Sequence, residues 1–432
     1  MQINNRKIIN GWCMYDWANS VYSLVITSAI FPIYYNSVTT TADGGDMVNF
    51  FGLEVVNSVL YSYSLSFSFL AVALVLPLLS GIADYSGRKK LFMKSFMYVG
   101  SFACIGLFFF KGYENVEWAI ICSILASIGY SGSLVFYDAF LPEIVTEDKF
   151  DKTSAKGYAL GYIGGVILLI INLMMIEMHE WFGFGDKGIA TRVSFLMVGI
   201  WWIAFSQITF SRLPDNVYDK HPKGNIFTEG YKELSRVWKS LKGLSVMKLF
   251  LAAFFFYNMG VQTVMYMAAT FGSKELHLDA GKLIITVLII QIVAVFGAFF
   301  FAYISKLRGN KISLLIMVFI WILICLGAYF VYSASEFYVL AFVVGLVMGG
   351  IQSLSRATYA KLIPPGSIDH ASYFSFFDVT FNISIVVGTF SYGLIEQISG
   401  DMRNSTLALM LFFMVGLGFL LLIKVPMHRV IK

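Results

Sequence analysis

The chain has 432 residues, 58% of them hydrophobic and only 13% charged, with a formal net charge of +5. No soluble core of that length could hide so much apolar surface, so lipid has to be the solvent and the fold class is an all-α, multi-pass membrane protein. In such a chain a basic excess reports topology, which removes nucleic-acid binding from the reading.

Windows of about 20 apolar residues place twelve helices. Helix 1 (12–38) carries Asp16, Asn19, Ser20, Ser23 and Thr27 at three- and four-residue steps, on one face. Helix 2 (54–80) repeats the rhythm with Asn57, Tyr61, Ser64 and Ser68, and a basic turn leads to helix 3 (91–110). Helix 4 (117–141) carries Tyr130, Ser131, Tyr137 and Asp138. Gly157, Gly161 and Gly165 give helix 5 (156–178) a smooth face for close helix approach, and helix 6 (192–211) ends the first set. In the polar segment 212–246, Phe227, Tyr231, Leu234, Trp238 and Leu241 share one face, as in an amphipathic helix lying on the membrane surface. Helix 7 (247–272) carries Asn258 and Gln262, and helices 8 (281–304) and 9 (312–332) are largely apolar. Helix 10 (337–360) carries Gln352, Arg356 and Tyr359, helix 11 (371–396) Ser375, Asp378 and Asn382, and helix 12 (406–424) is apolar. The division is then 1–211, a linker 212–246, and 247–432.

With the N-terminus inside, 25 of the 31 basic residues fall on the cytoplasmic side, among them Lys149, Lys361, Arg429 and Lys432. That asymmetry and the even helix count predict both termini in the cytoplasm, and in a bacterium the inner membrane. The first apolar stretch is too long for a cleavable signal and holds Asp16 and Asn19. Gly129, Ser133 and Leu134 recur 220 positions later as Gly349, Ser353 and Leu354, the signature of a duplicated six-helix unit.

A carboxylate at mid-bilayer costs about 2.5–3.5 kcal/mol, so the polar stripes need a cavity or a partner. Asn19, Tyr130, Asn258, Gln262, Gln352 and Asn382 are the candidate solute contacts, with amides and a phenol suited to an ammonium and a carboxylate alike. Asp16 and Asp378 are the candidate proton carriers. Asp138 and Arg356 lie near helix ends, and Arg356 is a candidate partner for Asp378 on the neighbouring helix. The competing reading is that serines bond their own helix and that Asn258 and Gln262 join helices together. No cofactor or metal is expected: His179, His221, His277, His370 and His428 are scattered, no phosphate-binding loop occurs, and Cys13, Cys104, Cys122 and Cys325 lack metal-type spacing. An enzyme or nucleotide-driven pump is accordingly not expected.

Asp84, Gly87 and Arg88 sit in Ser-Gly-Ile-Ala-Asp-Tyr-Ser-Gly-Arg-Lys-Lys, which resembles the helix 2 to 3 signature of the major facilitator superfamily. Ser80 stands where that family usually has glycine, and 305–311 is a degraded echo in the second half. The resemblance implies two rocking six-helix bundles. Helices 1, 4, 7 and 10 would line a central cavity, 2, 5, 8 and 11 would flank it, and 3, 6, 9 and 12 would face lipid. It also implies that Asp84, Gly87 and Arg88 form a gating latch. A narrower resemblance, carried by Tyr15-Asp16-Trp17-Ala18-Asn19-Ser20, Leu141-Pro142-Glu143, the helix 5 glycines and 350–356, is to the vacuole-effluxer-like transporters, and implies an amino-acid-like solute. The expected function is secondary transport of a small polar solute by a monomer in the bilayer, with proton coupling and uniport both open. Drug or metabolite efflux by proton antiport and a non-transporting solute receptor are the alternatives; Tyr162, where drug antiporters place a proline, speaks against the former.

Overall fold

A backbone without water must close its hydrogen bonds within its own segment, and among the described residues twelve long helices do so. The computed structural model describes residues 3–41, 45–220, 222, 224–399 and 402–424; His221, Lys223, His428, Arg429 and Lys432 lie outside them.

The spans are Arg6–Thr39, Asn57–Ser86, Lys89–Phe109, Tyr113–Ile144, Glu147–Glu177, Lys187–Arg212, Ser245–Lys274, Gly281–Arg308, Asn310–Tyr329, Ala334–Leu362, His370–Ser399 and Met402–Leu422. Most outrun the apolar windows. Helix 2 has 30 residues, about 45 Å at 1.5 Å per residue, against a hydrocarbon layer of about 30 Å. Hydropathy sees only the lipid-buried part, whereas the helix continues to its cap. Gly87, at φ 69°, makes the left-handed turn that ends helix 2.

Two local features depart from the expected spans. Residues 54–56 are not helical: Met47–Phe50 (β1) and Leu53–Val56 (β2) form an antiparallel hairpin, turned by Phe51 and Gly52 with positive φ. Short apolar runs of this kind carry no helix-specific period. Helix 1 widens into a π-helix over Tyr22–Ala29. Pro32, just beyond, supplies no N–H, so a carbonyl near Thr27 or Ser28 loses its helical donor.

The helices of each half pack mainly on one another, and the halves meet along helix 2 against helix 11 and helix 5 against helices 8 and 10. The helix 5 glycines face helix 1: a Cβ at Gly161 would meet Ser20, one at Gly164 Trp17, and one at Gly165 Leu24. In the second half, a Cβ at Gly345 or Gly349 would meet the helix 8 carbonyls of Ile290 and Ala294. These glycines let helices 8 and 10 run nearly in backbone contact. Gly129, the sequence counterpart of Gly349, instead packs on Gly100 of helix 3, so the repeat does not extend to this contact.

Lipid exposure also differs from expectation. Helix 8 has the least buried apolar window, 28%, below the 33% of helix 12 and the 44% of helices 3, 6 and 9. Two narrow seams fix it, the glycine seam and Ala298 and Ala302 against Ala155 of helix 5, so the rest of its girth, including Phe296 and Tyr303, stays exposed. The linker helix Ile226–Leu241 is not simply a surface float. It buries Gly230, Glu233, Val237 and Leu241, packing on helix 2 at Gly81, while Phe227, Tyr231 and Trp238 remain exposed.

Gly349→Ala pushes a methyl into the Ala294 carbonyl and is expected to lower the melting temperature of the purified protein, at an overpacking cost of about 1–3 kcal/mol. Gly393→Ala and Gly418→Ala, where nothing lies within 4 Å, leave it unchanged or slightly higher.

Candidate functional site

The halves are joined by a polar seal at the end of the helices that carries Lys89, Lys149 and Lys361, the basic end. At its centre Arg356 of helix 10 is 1% exposed. Its Nη1 donates to Asp138 of helix 4 at 3.1 Å and its Nη2 to Asp16 of helix 1 at 3.2 Å. Its Nε donates to the Ser154 hydroxyl of helix 5 at 2.9 Å. Tyr137 donates to the same Asp16 oxygen at 2.7 Å, and the guanidinium lies over Tyr158 and Trp12, 4.3 and 4.8 Å from their ring centroids. Gly157 leaves the room: a Cβ there would strike Asp16 and Arg356. Arg356 is therefore not the partner of Asp378; it reaches across to the other half, and Asp378 is held by Asn382, whose Nδ2 donates to Oδ2 at 2.7 Å.

Two further clusters flank this one. Asp84 accepts from the backbone N–H groups of Ala371 at 3.2 Å and Ser372 at 2.6 Å, unpaired donors in the first turn of helix 11 where the helix dipole favours an anion. Lys89 makes a close ion pair with Glu143, and Glu143 also meets His370 Nδ1 at 3.0 Å. Arg88, the expected latch cation, is exposed and makes no ion pair among the described residues. Lys89, one position on, faces inward because helix 3 begins there and turns it under the seal. In the degraded loop of the second half, Ser305 and Asn310 bond Asp151 of helix 5 at 2.5 and 2.9 Å, and Lys361 pairs with it at 2.7 Å. The carboxylate missing from that loop is thus supplied by the opposite half.

Beyond the seal lies a cavity of about 170 Å³ between the halves, room for about six waters at about 30 Å³ each. The π-helical stretch forms one wall through Tyr22, Ser23, Thr27 and Ser28. Of the expected residues, Tyr130, Gln262, Gln352, Asp138 and Asp378 line it. Tyr162 donates to Gln352 across the halves at 2.7 Å on the cavity floor.

The other three amides stand outside the lining. Asn258 donates to Ser384 of helix 11 at 2.7 Å and accepts from Gln262 at 3.3 Å, an interhelical role. Asn382 buttresses Asp378, and Asn19 is buried with its Nδ2 lacking a protein partner. Tyr158, Tyr162, Tyr266 and Gln291 line the cavity without having been singled out as contacts. Gln291 could have been found, as a lone amide in the most hydropathic span. The tyrosines could not, because phenols also populate lipid interfaces.

The family described as "Vacuole effluxer Atg22 like" matches residues 4–430. The chain belongs to that family. It is 30% identical to the uncharacterized MFS-type transporter YxiO of Bacillus subtilis (strain 168), over 95% of this chain and 93% of that one. It is 24% identical to autophagy-related protein 22-1 of Penicillium rubens, over 91% of this chain and 79% of that one. In three dimensions the Atg22-like chain matches the major facilitator superfamily transporter FucP in its outward conformation, with a TM-score of 0.72 and 12% identity over 98% of this chain and 100% of that one. It matches the proton:xylose symporter XylE with a TM-score of 0.73 and 11% identity, over 97% and 95%. It is therefore a major facilitator type transporter of the Atg22-like family, an integral multi-pass membrane protein and not an enzyme.

Removing one partner of a buried ion pair strands the other, at about 3–5 kcal/mol. In Arg356→Gln, spin labels at Lys149→Cys and Ile368→Cys, with the native cysteines replaced by serine, are expected to lose their short-distance population across the basic end. Arg356→Lys does not restore it, since an ammonium cannot make the guanidinium's simultaneous bonds to Asp16, Asp138 and Ser154.

The linker adds a pH term. Burial first, then the hydrogen bond with Asp369 and its charge, push the Glu233 carboxyl up to about 7, against the pull of Arg236 and Lys220. A carboxyl raised in the sealed form binds its proton there between about 4.5 and 7, so the sealed form gains at acid pH and loses that gain as pH rises through about 7. The same labels should show a short-distance population that shrinks on moving from about pH 5.5 to about pH 8. Glu233→Gln should flatten that response.

Proposed function

We propose that this chain moves a small polar solute, an amino acid or similar zwitterion, by alternating access around the central cavity, with residues 1–211 and 247–432 rocking as two bodies joined by 212–246. The observation that carries the reading is a cavity between the halves, lined by Asp138, Asp378, Gln262, Gln291 and Gln352 among apolar side chains, and closed at one end by ion pairs across the halves. At the far end, the pairs Lys187–Glu177 and Lys274–Glu396 each stay within one half. With both termini in the cytoplasm, as the distribution of basic residues favours, the sealed end faces inward and the structure represents an outward-facing form.

Tyr130, Gln262 and Gln352 contact the solute in this reading, and Asn258 and Asn382 hold Gln262 and Asp378 in place. Asp84, Lys89 and the Arg356 cluster with Asp16 and Asp138 form the gate, and Gly87 supplies the turn between them. Asp378, which faces the cavity and pairs with no cation among the described residues, is the proton carrier; Asp16, already paired, is not.

Proteoliposomes loaded with an amino-acid mixture should take up radiolabelled amino acids by counterflow, and absence of exchange for every one would refute the solute class. Gln352→Ala removes an amide and frees Tyr162, and is expected to raise the KM about tenfold. At saturating solute, a proton gradient directed out of the vesicle should drive accumulation by the wild type, solute and proton occupying Asp378 in turn, and not by Asp378→Asn.

A further inference from the structure

Charge balance around the cavity is uneven. Asp378 and Asp138 line it, and Asp16 stands just behind its floor. Against these three carboxylates the described residues set one guanidinium, Arg356, and the described lining holds no Lys, Arg or His. Asp378 is 8% exposed, its Oδ2 is bonded by Asn382, and its Oδ1 has no hydrogen-bond partner among the described residues. A buried carboxylate in that position is stabilised by a cation brought in from outside. The surrounding wall suits such a visitor: Tyr130, Tyr162, Tyr266 and Phe377 present aromatic rings, whose faces attract ammonium groups. The rest of the lining is uncharged: amides and hydroxyls such as Gln262, Gln291, Gln352, Ser127 and Ser131, and apolar side chains such as Met265, Met348 and Phe381. None of these offers a solute carboxylate a full positive charge.

We propose that the cavity recognises its solute through a cationic amine set against Asp378, and that the solute's carboxylate is dispensable. The inference rests on the transport reading above and narrows it from zwitterions in general to solutes defined by their ammonium. Amines that lack the carboxylate are then ligands as good as the parent amino acids, and acids that lack the ammonium are excluded.

The test is thermal stabilisation and counterflow with matched probes on the common amino-acid side chains: the zwitterion, the corresponding decarboxylated amine and the N-acetyl acid. Expected is binding of amine and zwitterion within about threefold of each other, none for the N-acetyl acid, and a loss of tenfold or more in amine affinity in Asp378→Asn that Asp378→Glu largely restores. Binding of the N-acetyl acid as tight as the amine, or binding of the zwitterion but not the amine, overturns the inference while leaving amino-acid transport standing. Equal amine affinity in Asp378→Asn overturns it as well. No response to any probe overturns both. The wild-type probe series decides the matter even where a variant fails to fold.

Discussion

The buried guanidinium of Arg356 is the interaction on which the sealed state depends. It is the cation of one half held by two carboxylates, a hydroxyl and two aromatic faces contributed by the other. A charge so placed has already lost its hydration, so it stabilises the seal only while every partner is in register, and removing one partner costs more than the intact cluster contributes. That makes the seal nearly two-state. An apolar interface of the same size would slide or loosen gradually, whereas charge-assisted bonds either form or are replaced by water.

The flanking clusters extend the same logic. Asp84 uses the free N–H groups of a helix start, Glu143 is shared between Lys89 and His370, and Asp151 supplies the anion that the second loop lacks. Each couples one half to the other through polar groups, alongside the apolar seam of Ala155 with Ala298 and Ala302. Close glycine seams, as at Gly345 and Gly349, bring helices 8 and 10 nearly into backbone contact within the second half. Helix 1 is the exception to regular geometry. Its π-helical stretch lies on the cavity wall, next to the carbonyl that Pro32 leaves without a helical donor.

Some of the site was legible in the residues. Intramembrane carboxylates are rare enough that Asp16, Asp138 and Asp378 stood out, and all three take part in the cavity or its seal. Their partners were not legible. Arg356 is 22 positions from Asp378 but 340 from Asp16, and only the packing of helix 10 against helix 5 decides between them. Likewise Lys89 replaced Arg88 through a rotation of 100° per residue at a helix start, too fine a detail for a motif to fix.

What the sequence by itself determined is the number, position and approximate length of the spans, because lipid leaves the backbone no alternative to the helix and so makes hydropathy nearly sufficient. Tertiary structure alone decided which amide meets a cavity and which meets another helix. Asn258 and Gln262 sit four residues apart on the same face, yet one bonds Ser384 and the other lines the cavity. The difference lies in how close the facing helix comes at each turn, and that distance is set by side chains from other spans.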